Sequence, residues 1–159
     1  MRKVLNRIYR TTMSLLIVLC ILLLVLKVSG VSVICVKGES MEPNYSDGEI
    51  HLIAKAEEYK RGDVVAVQVN GMTILKRIIA VEGDTLEIYH HTIWVNNELI
   101  APYIKGESWN NSGEFDTHQT IEQNCIYLLG DDRNISADSR CPEIGTVKME
   151  QIIGKVETK

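Results

Sequence analysis

Residues 73–84 have the sequence TILKRIIAVEGD, and this stretch decides the class of fold. Alternate residues of a β-strand point to opposite faces, and here both faces are mainly apolar, with Ile74, Lys76, Ile78 and Ala80 on one and Leu75, Arg77, Ile79 and Val81 on the other. Either Lys76 or Arg77 is therefore expected to face a buried surface. Burial can lower the pKa of a lysine by several units from about 10.4, whereas an arginine keeps its proton.

Short stretches of similar character follow one another after residue 38 and are separated by turn residues. They are rich in Val, Ile and Tyr and predict β-strands at residues 49–54, 63–69, 73–81, 85–89, 92–95, 98–101, 125–129 and 152–156. Asn70-Gly71 and Asn96-Asn97 predict two tight hairpins. Residues 106–120 are polar and predict a long mobile loop. The sequence therefore predicts a compact, mostly β domain.

The N-terminal segment is apolar without interruption by turns. Residues 13–26, MSLLIVLCILLLVL, contain a single polar residue, Ser14. A helix needs about 20 residues to cross a membrane, and the flanking residues supply the remainder. We therefore predict a cytoplasmic basic tail at residues 1–10, a single N-terminal transmembrane helix at 11–30 and an extracytoplasmic β domain at 31–159. A cleavable signal peptide is the alternative, because its apolar region is typically about 7–15 residues long.

The charges of the 159 residues are divided unevenly along the chain. Residues 1–27 contain five basic side chains and no acid, whereas the remaining residues contain 12 basic and 21 acidic side chains, a formal charge of −9. Basic residues beside a membrane segment stay in the cytoplasm. An acidic body makes nucleic acid an unsuitable partner, because phosphate binding needs a basic face.

The cysteines and histidines have no spacing typical of a metal site. Cys20 lies in the apolar segment, and Cys35, Cys125 and Cys141 form no CxxC motif. We expect free cysteines, and pairing of Cys125 with Cys141 stays open. The four histidines likewise lack ligand spacing, so neither a metal nor another cofactor is expected.

Three polar segments carry candidate chemistry: residues 38–44 (GESMEPN), 73–84, and 129–140 (LGDDRNISADSR). Taken singly, they fit a surface turn, a buried strand and a solvated loop. Together they resemble bacterial type I signal peptidases, which are membrane-anchored serine–lysine endopeptidases. The resemblance covers about residue 11 to the end and rests on four ordered boxes: Ser40-Met41-Glu42-Pro43, Gly62-Asp63-Val64-Val65, Lys76-Arg77 with Gly83-Asp84, and Gly130-Asp131-Asp132-Arg133 with Ser136 and Asp138-Ser139-Arg140. One apolar segment and no large extra β insertion match the short, single-anchor form of Gram-positive bacteria.

The resemblance implies a catalytic role for three side chains. Ser40 is expected to be the nucleophile and Lys76 the general base, which must be neutral near pH 7 and hence buried. Ser136 is expected to hydrogen-bond the Lys76 nitrogen and fix its direction. The Ser40 backbone N–H is expected to stabilise the tetrahedral oxyanion.

The resemblance also implies supporting and substrate-binding residues. A pair formed by Asp138 and Arg140 is expected to hold the loop around Ser136, and the same box supplies further structural support from Gly130 and Asp131. The substrate-binding residues implied are Val36, Gly38, Met41, Ile74 and Leu75. The alternative for Val36, Ile74 and Leu75 is that they are simply core residues.

Three positions depart from the pattern of the family. Many relatives have serine, a second oxyanion donor, where this chain has Gly38, so the second donor stays open. Asn44 replaces the usual threonine of the first box, and Asp132 replaces the usual asparagine of the last. Neither of the last two replacements changes a reacting group.

The expected function is cleavage of signal peptides from exported preproteins after small residues, at the outer surface of the cell membrane. The expected partners are signal peptides, the lipid bilayer and the secretion translocase. An uncleaved anchor is favoured, because cleavage near residue 32 would release the enzyme from its substrates. The alternative function is that of a relative dedicated to a pilin-type substrate or acting as an assembly factor. A soluble self-cleaving repressor would need a DNA-binding domain and no anchor.

Overall fold

The structure, a computed structural model, describes residues 2–28, 30–89, 92–100 and 116–156. The chain divides into two compact units, with the boundary after Ser32. The first unit contains the helix α1, Arg2–Val28. Among the described residues, no helix combines the length and apolar character needed to cross a membrane. The anchor expected at residues 11–30 thus remains a prediction.

The second unit is built from β-strands in two sheets. A seven-stranded sheet has the order β1-β2-β11-β3-β4-β9-β10, and a four-stranded sheet has the order β7-β6-β5-β8. The strands are β1 Val31–Cys35, β2 Ile50–Ala54, β3 Val64–Val69, β4 Met72–Val81, β5 Thr85–Tyr89, β6 Thr92–Val95, β7 Glu98–Leu99, β8 Thr117–Thr120, β9 Cys125–Leu129, β10 Val147–Lys148 and β11 Ile152–Val156, with a 3-10 helix, Met149–Gln151, before β11. The prediction of a mostly β fold is confirmed.

Both faces of the central strands are covered, as the sequence of β4 predicts. Leu75 packs in a cluster with Val36 and Met41, whereas Ile78 packs in a second cluster with residues of β3 and β9. A third cluster contains Ile79 and joins the end of β4 to the four-stranded sheet. Burial of apolar side chains on both faces stabilises the strand that carries Lys76.

Both predicted hairpins are present. Asn70 and Gly71 have φ of 50° and 79° between β3 and β4, and Asn96 and Asn97 have φ of 53° and 64° between β6 and β7. When both central residues of a two-residue turn have positive φ, the twist of the turn matches the right-handed twist of the two strands that it joins. The first hairpin therefore sets the pairing of β3 with β4.

Two strands lie where other structures were expected. β1 falls in a stretch whose apolar character merges with that of the preceding segment, so hydropathy does not separate strand from anchor. β8 occupies the end of the predicted polar loop: Thr117–Thr120 pairs with β5 as an edge strand, and its polar side chains alternate between partly buried and exposed. The rest of that loop up to residue 115, and His90 and His91, lie outside the described residues.

Candidate active site

The candidate site forms where β9 ends beside β4. The two strands pair antiparallel, with Leu129 opposite Arg77, and the register shifts between Ile78 and Ala80. Because β9 ends at Leu129, the polar loop that begins at Gly130 leaves the sheet next to Lys76. Two of the predicted segments therefore meet through strand pairing alone.

The structure brings Lys76 and Ser40 into direct contact. The Lys76 Nζ donates a hydrogen bond of 2.7 Å to the Ser40 Oγ. Lys76 is only 4% exposed, although it is a lysine. A nucleophile within hydrogen-bond reach of a buried amine is the arrangement that proton transfer requires.

The surroundings of Lys76 favour its neutral form. Burial of the ammonium group lowers the pKa of Lys76 from its ordinary value, and the nearby Arg140 guanidinium lowers that pKa further. The Asp138 and Asp131 carboxylates act in the opposite direction, but burial is the largest of these effects. The surroundings therefore shift Lys76 toward the neutral form, in which an amine can accept a proton.

Ser40 lies in a tight turn that the loop after β9 holds from one side. The Asp132 N–H donates to the Ser40 carbonyl at 3.0 Å, and the Glu42 N–H donates to the Glu39 carbonyl at the same distance. The Tyr45 N–H donates to the Met41 carbonyl, also at 3.0 Å. These bonds fix the backbone of Ser40, whose hydroxyl accepts the hydrogen bond from Lys76.

Arg77, the neighbour of Lys76, forms a buried ion pair with Asp131. Its Nε and Nη2 donate to the two Asp131 oxygens at 2.8 and 2.6 Å, and its Nη1 donates to the Gly62 carbonyl at 2.8 Å. Asn44, which lies in the same turn as Ser40, donates to this carboxylate at 2.9 Å. Asp131 therefore links the turn of Ser40 to Arg77 on β4. Breaking such a buried pair on one side typically costs about 3–5 kcal/mol. Both candidate side chains of the predicted strand are thus buried, and Asp131 neutralises the charge of Arg77.

Asp138 and Arg140 form a second buried pair within the loop. The Arg140 Nε and Nη2 donate to the Asp138 carboxylate at 2.8 and 2.9 Å, and the Gly130 N–H donates to it at 3.0 Å. Arg133 donates to the Gly130 carbonyl at 2.9 Å, and burial lowers the pKa of Arg133 to about 10. Nothing in the sequence points to this contact of Arg133. The loop is therefore closed on itself by charged hydrogen bonds.

The Ser136 hydroxyl does not make the expected hydrogen bond to the Lys76 nitrogen. The Ser136 Oγ is buried and has no hydrogen-bond partner among the described residues, whereas the Lys76 Nζ donates to Ser40. Ser136 nevertheless packs at the site, because a β-carbon added to Gly130 would lie 2.5 Å from both the Ser136 Cβ and the Ser40 carbonyl oxygen. Gly130 is thus the point at which the loop and the nucleophile turn approach each other.

Gly130→Ala is expected to lower kcat/KM by about 100-fold, because the added methyl group must displace the Ser40 carbonyl or Ser136. Overpacking of this kind also lowers the free energy of unfolding by about 1–3 kcal/mol. The matched control is Gly154→Ala in β11, where an added β-carbon would lie 3.1 Å from its nearest neighbours. Cleavage rates per folded molecule and thermal unfolding of both variants check the prediction. Equal activities of the two variants would contradict it.

A groove of about 720 Å³ opens onto the Ser40 hydroxyl and Lys76. All five predicted substrate-binding residues line it, namely Val36, Gly38, Met41, Ile74 and Leu75. Val36, Met41 and Leu75 also belong to a core cluster, so for these three residues core packing and groove lining coincide. Two exposed apolar side chains that the sequence did not suggest, Met72 and Ile135, complete the walls.

Comparisons with known proteins point to one family. Residues 9–159 match the family model described as signal peptidase, peptidase S26. The chain is 31% identical over 141 residues to a signal peptidase IB of Staphylococcus aureus, covering 76% of this chain and 73% of the relative, and 29% identical over 161 residues to a signal peptidase I of Streptococcus pneumoniae, covering 77% and 78%. A crystal structure of a signal peptidase I from Enterococcus faecalis superposes with a TM-score of 0.55 at 27% identity, covering 65% of this chain and all of that one. The sequence resemblance is confirmed, and the chain belongs to the signal peptidase family, peptidase S26.

Proposed function

We propose that the chain is a membrane-anchored serine endopeptidase that removes signal peptides from exported preproteins with a Ser40–Lys76 dyad. The observation that carries this proposal is the 2.7 Å hydrogen bond between the buried Lys76 amine and the Ser40 hydroxyl, at the floor of a groove. Membership of a peptidase family supports the same chemistry.

In the proposed reaction, the neutral Lys76 amine takes the proton of the Ser40 hydroxyl as the oxygen attacks the substrate carbonyl. The Ser40 N–H donates to the oxyanion of the tetrahedral intermediate. The Lys76 ammonium then returns its proton to the leaving amine, and an ester of Ser40 remains. Water, activated by the neutral Lys76, hydrolyses this ester and restores the enzyme.

Ser136 has a supporting role in this proposal. Once Lys76 has accepted the proton, its ammonium group needs acceptors, and the buried Ser136 hydroxyl has a free capacity to accept. Asp138 and Arg140 hold the loop that carries Ser136, since Arg140 also donates to the Arg133 carbonyl at 2.8 Å. These three residues would position the amine without taking part in bond making.

The groove is suited to an extended peptide. The register of β4 with β9 covers Arg77 to Val81, so in the described part of the chain β9 leaves the edge of Met72–Lys76 open. A substrate strand can add along this edge and place alternate side chains toward the groove walls. Val36, Ile74 and Leu75 would then restrict the residues one and three positions before the cut to small side chains.

The proposed anchor is the segment at residues 11–30, most of which lies in the helix α1. Five consecutive apolar residues, from Leu15 to Leu19, are each more than half exposed, and consecutive helix residues point around the whole circumference. A helix with apolar side chains on all sides needs an apolar environment, and lipid is the one that suits a basic N-terminal end. Recovery of the chain in the membrane fraction with an intact N-terminus is expected, whereas a mature start near residue 33 would contradict the anchor.

The experiment that tests the function uses the full chain in detergent or bilayers and a preprotein with Ala-x-Ala before its cleavage site. A single cut after the second alanine is expected, identified by the mass and N-terminal sequence of the product. A matched preprotein with leucine in place of that alanine should be cut far more slowly. No cleavage, or cleavage that ignores this substitution, would contradict the proposal.

A further inference from the structure

The Asp47 carboxylate lies beside the nucleophile turn and has no part in the mechanism above. Its Oδ1 accepts a hydrogen bond of 2.6 Å from the Gly38 N–H, two residues before Ser40. A charged acceptor at this distance makes one of the stronger hydrogen bonds to a backbone amide. Gly38 has φ of 80°, a conformation that glycine adopts more readily than other residues. Asp47 therefore holds the residue at which the chain bends toward the nucleophile.

The backbone around this contact is fixed at its base. The Val36 N–H donates to the Glu49 carbonyl at 2.8 Å, and the Gly48 N–H donates to the Val36 carbonyl at 3.0 Å. These two bonds close a loop that contains Ser40. Within that loop, the Asp47 side chain reaches across to Gly38, so it controls the part of the loop closest to the reacting hydroxyl.

The backbone N–H groups of Gly38 and Ser40 differ in whether they are already hydrogen-bonded. The Gly38 N–H is engaged by Asp47 and is not a second oxyanion donor while this bond exists. Among the described residues, nothing accepts a hydrogen bond from the Ser40 N–H, so that donor is available to the substrate. The Ser40 carbonyl is held by the Asp132 N–H at 3.0 Å. The turn is thus held at two points: Asp47 binds the Gly38 N–H, and the Asp132 N–H binds the Ser40 carbonyl.

We propose that Asp47 is a positioning residue for the reaction: its carboxylate fixes Gly38 and thereby sets the direction of the Ser40 N–H that receives the oxyanion. This inference rests on the proposed Ser40–Lys76 mechanism. It also accounts for glycine at position 38, because the Asp47 contact uses the backbone amide of a residue with positive φ. A side-chain donor at that position is not needed for this arrangement.

The test compares the full chain in detergent with its Asp47→Ala and Asp47→Asn variants, and with Glu57→Ala, which removes an exposed carboxylate elsewhere. Asp47→Ala is expected to lower kcat about tenfold and to change KM by less than about twofold, because Asp47 itself does not line the groove. Asp47→Asn keeps an acceptor oxygen and should retain most of the wild-type kcat. The proposal is overturned if Asp47→Ala keeps more than half of the wild-type kcat, if the loss appears in KM alone, or if Asn is as slow as Ala.

A second measurement tests the contact between Asp47 and Gly38 independently of the proposed mechanism. The Gly38 amide proton, observed by NMR in the full chain, should move upfield in Asp47→Ala and stay in place in Glu57→Ala, since a carboxylate acceptor shifts an amide proton downfield. An unchanged Gly38 amide would overturn the proposal regardless of the kinetics. Wild-type cleavage by Ser40→Ala would instead overturn the proposed mechanism, while the amide shift still decides whether Asp47 holds Gly38.

Discussion

Lys76→Ala is expected to lower kcat/KM for a preprotein by about 10³- to 10⁴-fold, the upper part of the range typical of a general base. This corresponds to about 4–5.5 kcal/mol of lost transition-state stabilisation. The physical reason is that the Ser40 hydroxyl hydrogen-bonds directly to the Lys76 amine, and a methyl group cannot accept its proton. Initial rates with one purified preprotein provide the measurement.

Two further variants separate proton transfer from packing and charge. Lys76→Arg keeps a long cationic side chain but cannot release its proton at neutral pH, so it should be as inactive as Lys76→Ala. Lys55→Ala removes an exposed lysine and should keep wild-type rates. Thermal unfolding should show all three variants folded. Activity of Lys76→Arg near the wild-type level would exclude Lys76 as the base.

Ser40→Ala is expected to have the largest effect on cleavage, a loss of kcat on the order of 10⁵-fold. The substitution removes the attacking oxygen and leaves the backbone contact of the turn intact, because the Asp132 N–H donates to the Ser40 carbonyl and not to its side chain. The variant should therefore fold as the wild type does. The rate of product formation, followed over long incubations by mass spectrometry, is the measurement.

Substrate binding by the same variant is the control for this prediction. The groove walls formed by Val36, Ile74 and Leu75 do not depend on the Ser40 hydroxyl. Ser40→Ala should bind a labelled signal peptide, and an excess of it should slow wild-type cleavage by competing for substrate. Residual cleavage within tenfold of the wild-type rate would show that another group is the nucleophile.

The sequence predicted most strands of the two sheets but not the edge strands β1, β8 and β10. β4 and its hairpin with β3 were predictable because apolar residues occupy both faces and Asn70-Gly71 allows positive φ. β1 was not predicted, since its apolar residues continue the character of the preceding segment. β8 was not predicted because an edge strand of threonine, histidine and glutamine has no apolar face of its own; it forms by pairing with β5. Local composition carries little information about such partner-dependent strands.

The candidate site could likewise be predicted from the sequence only in part. The predicted segments of Lys76 and Ser136 come together because β9 ends opposite Arg77, and the bond from the Asp132 N–H to the Ser40 carbonyl joins the Ser40 segment to them. The contacts of Asn44 with Asp131, and of Asp47 with Gly38, depend on side chains that reach across the fold. Asn44 gave one signal, its departure from the threonine of the family, but the residue that it contacts cannot be identified from the sequence. Asp47 gave none.

The pH dependence of kcat/KM for the wild type tests the dyad most directly. Only the neutral Lys76 amine can accept the Ser40 proton, and burial lowers the pKa of Lys76, so activity should rise with pH as this group deprotonates. An ascending limb is expected, with a midpoint below about 10.4, the ordinary pKa of a lysine. A limb centred at that ordinary value, or a rate that does not rise with pH, would contradict this expectation.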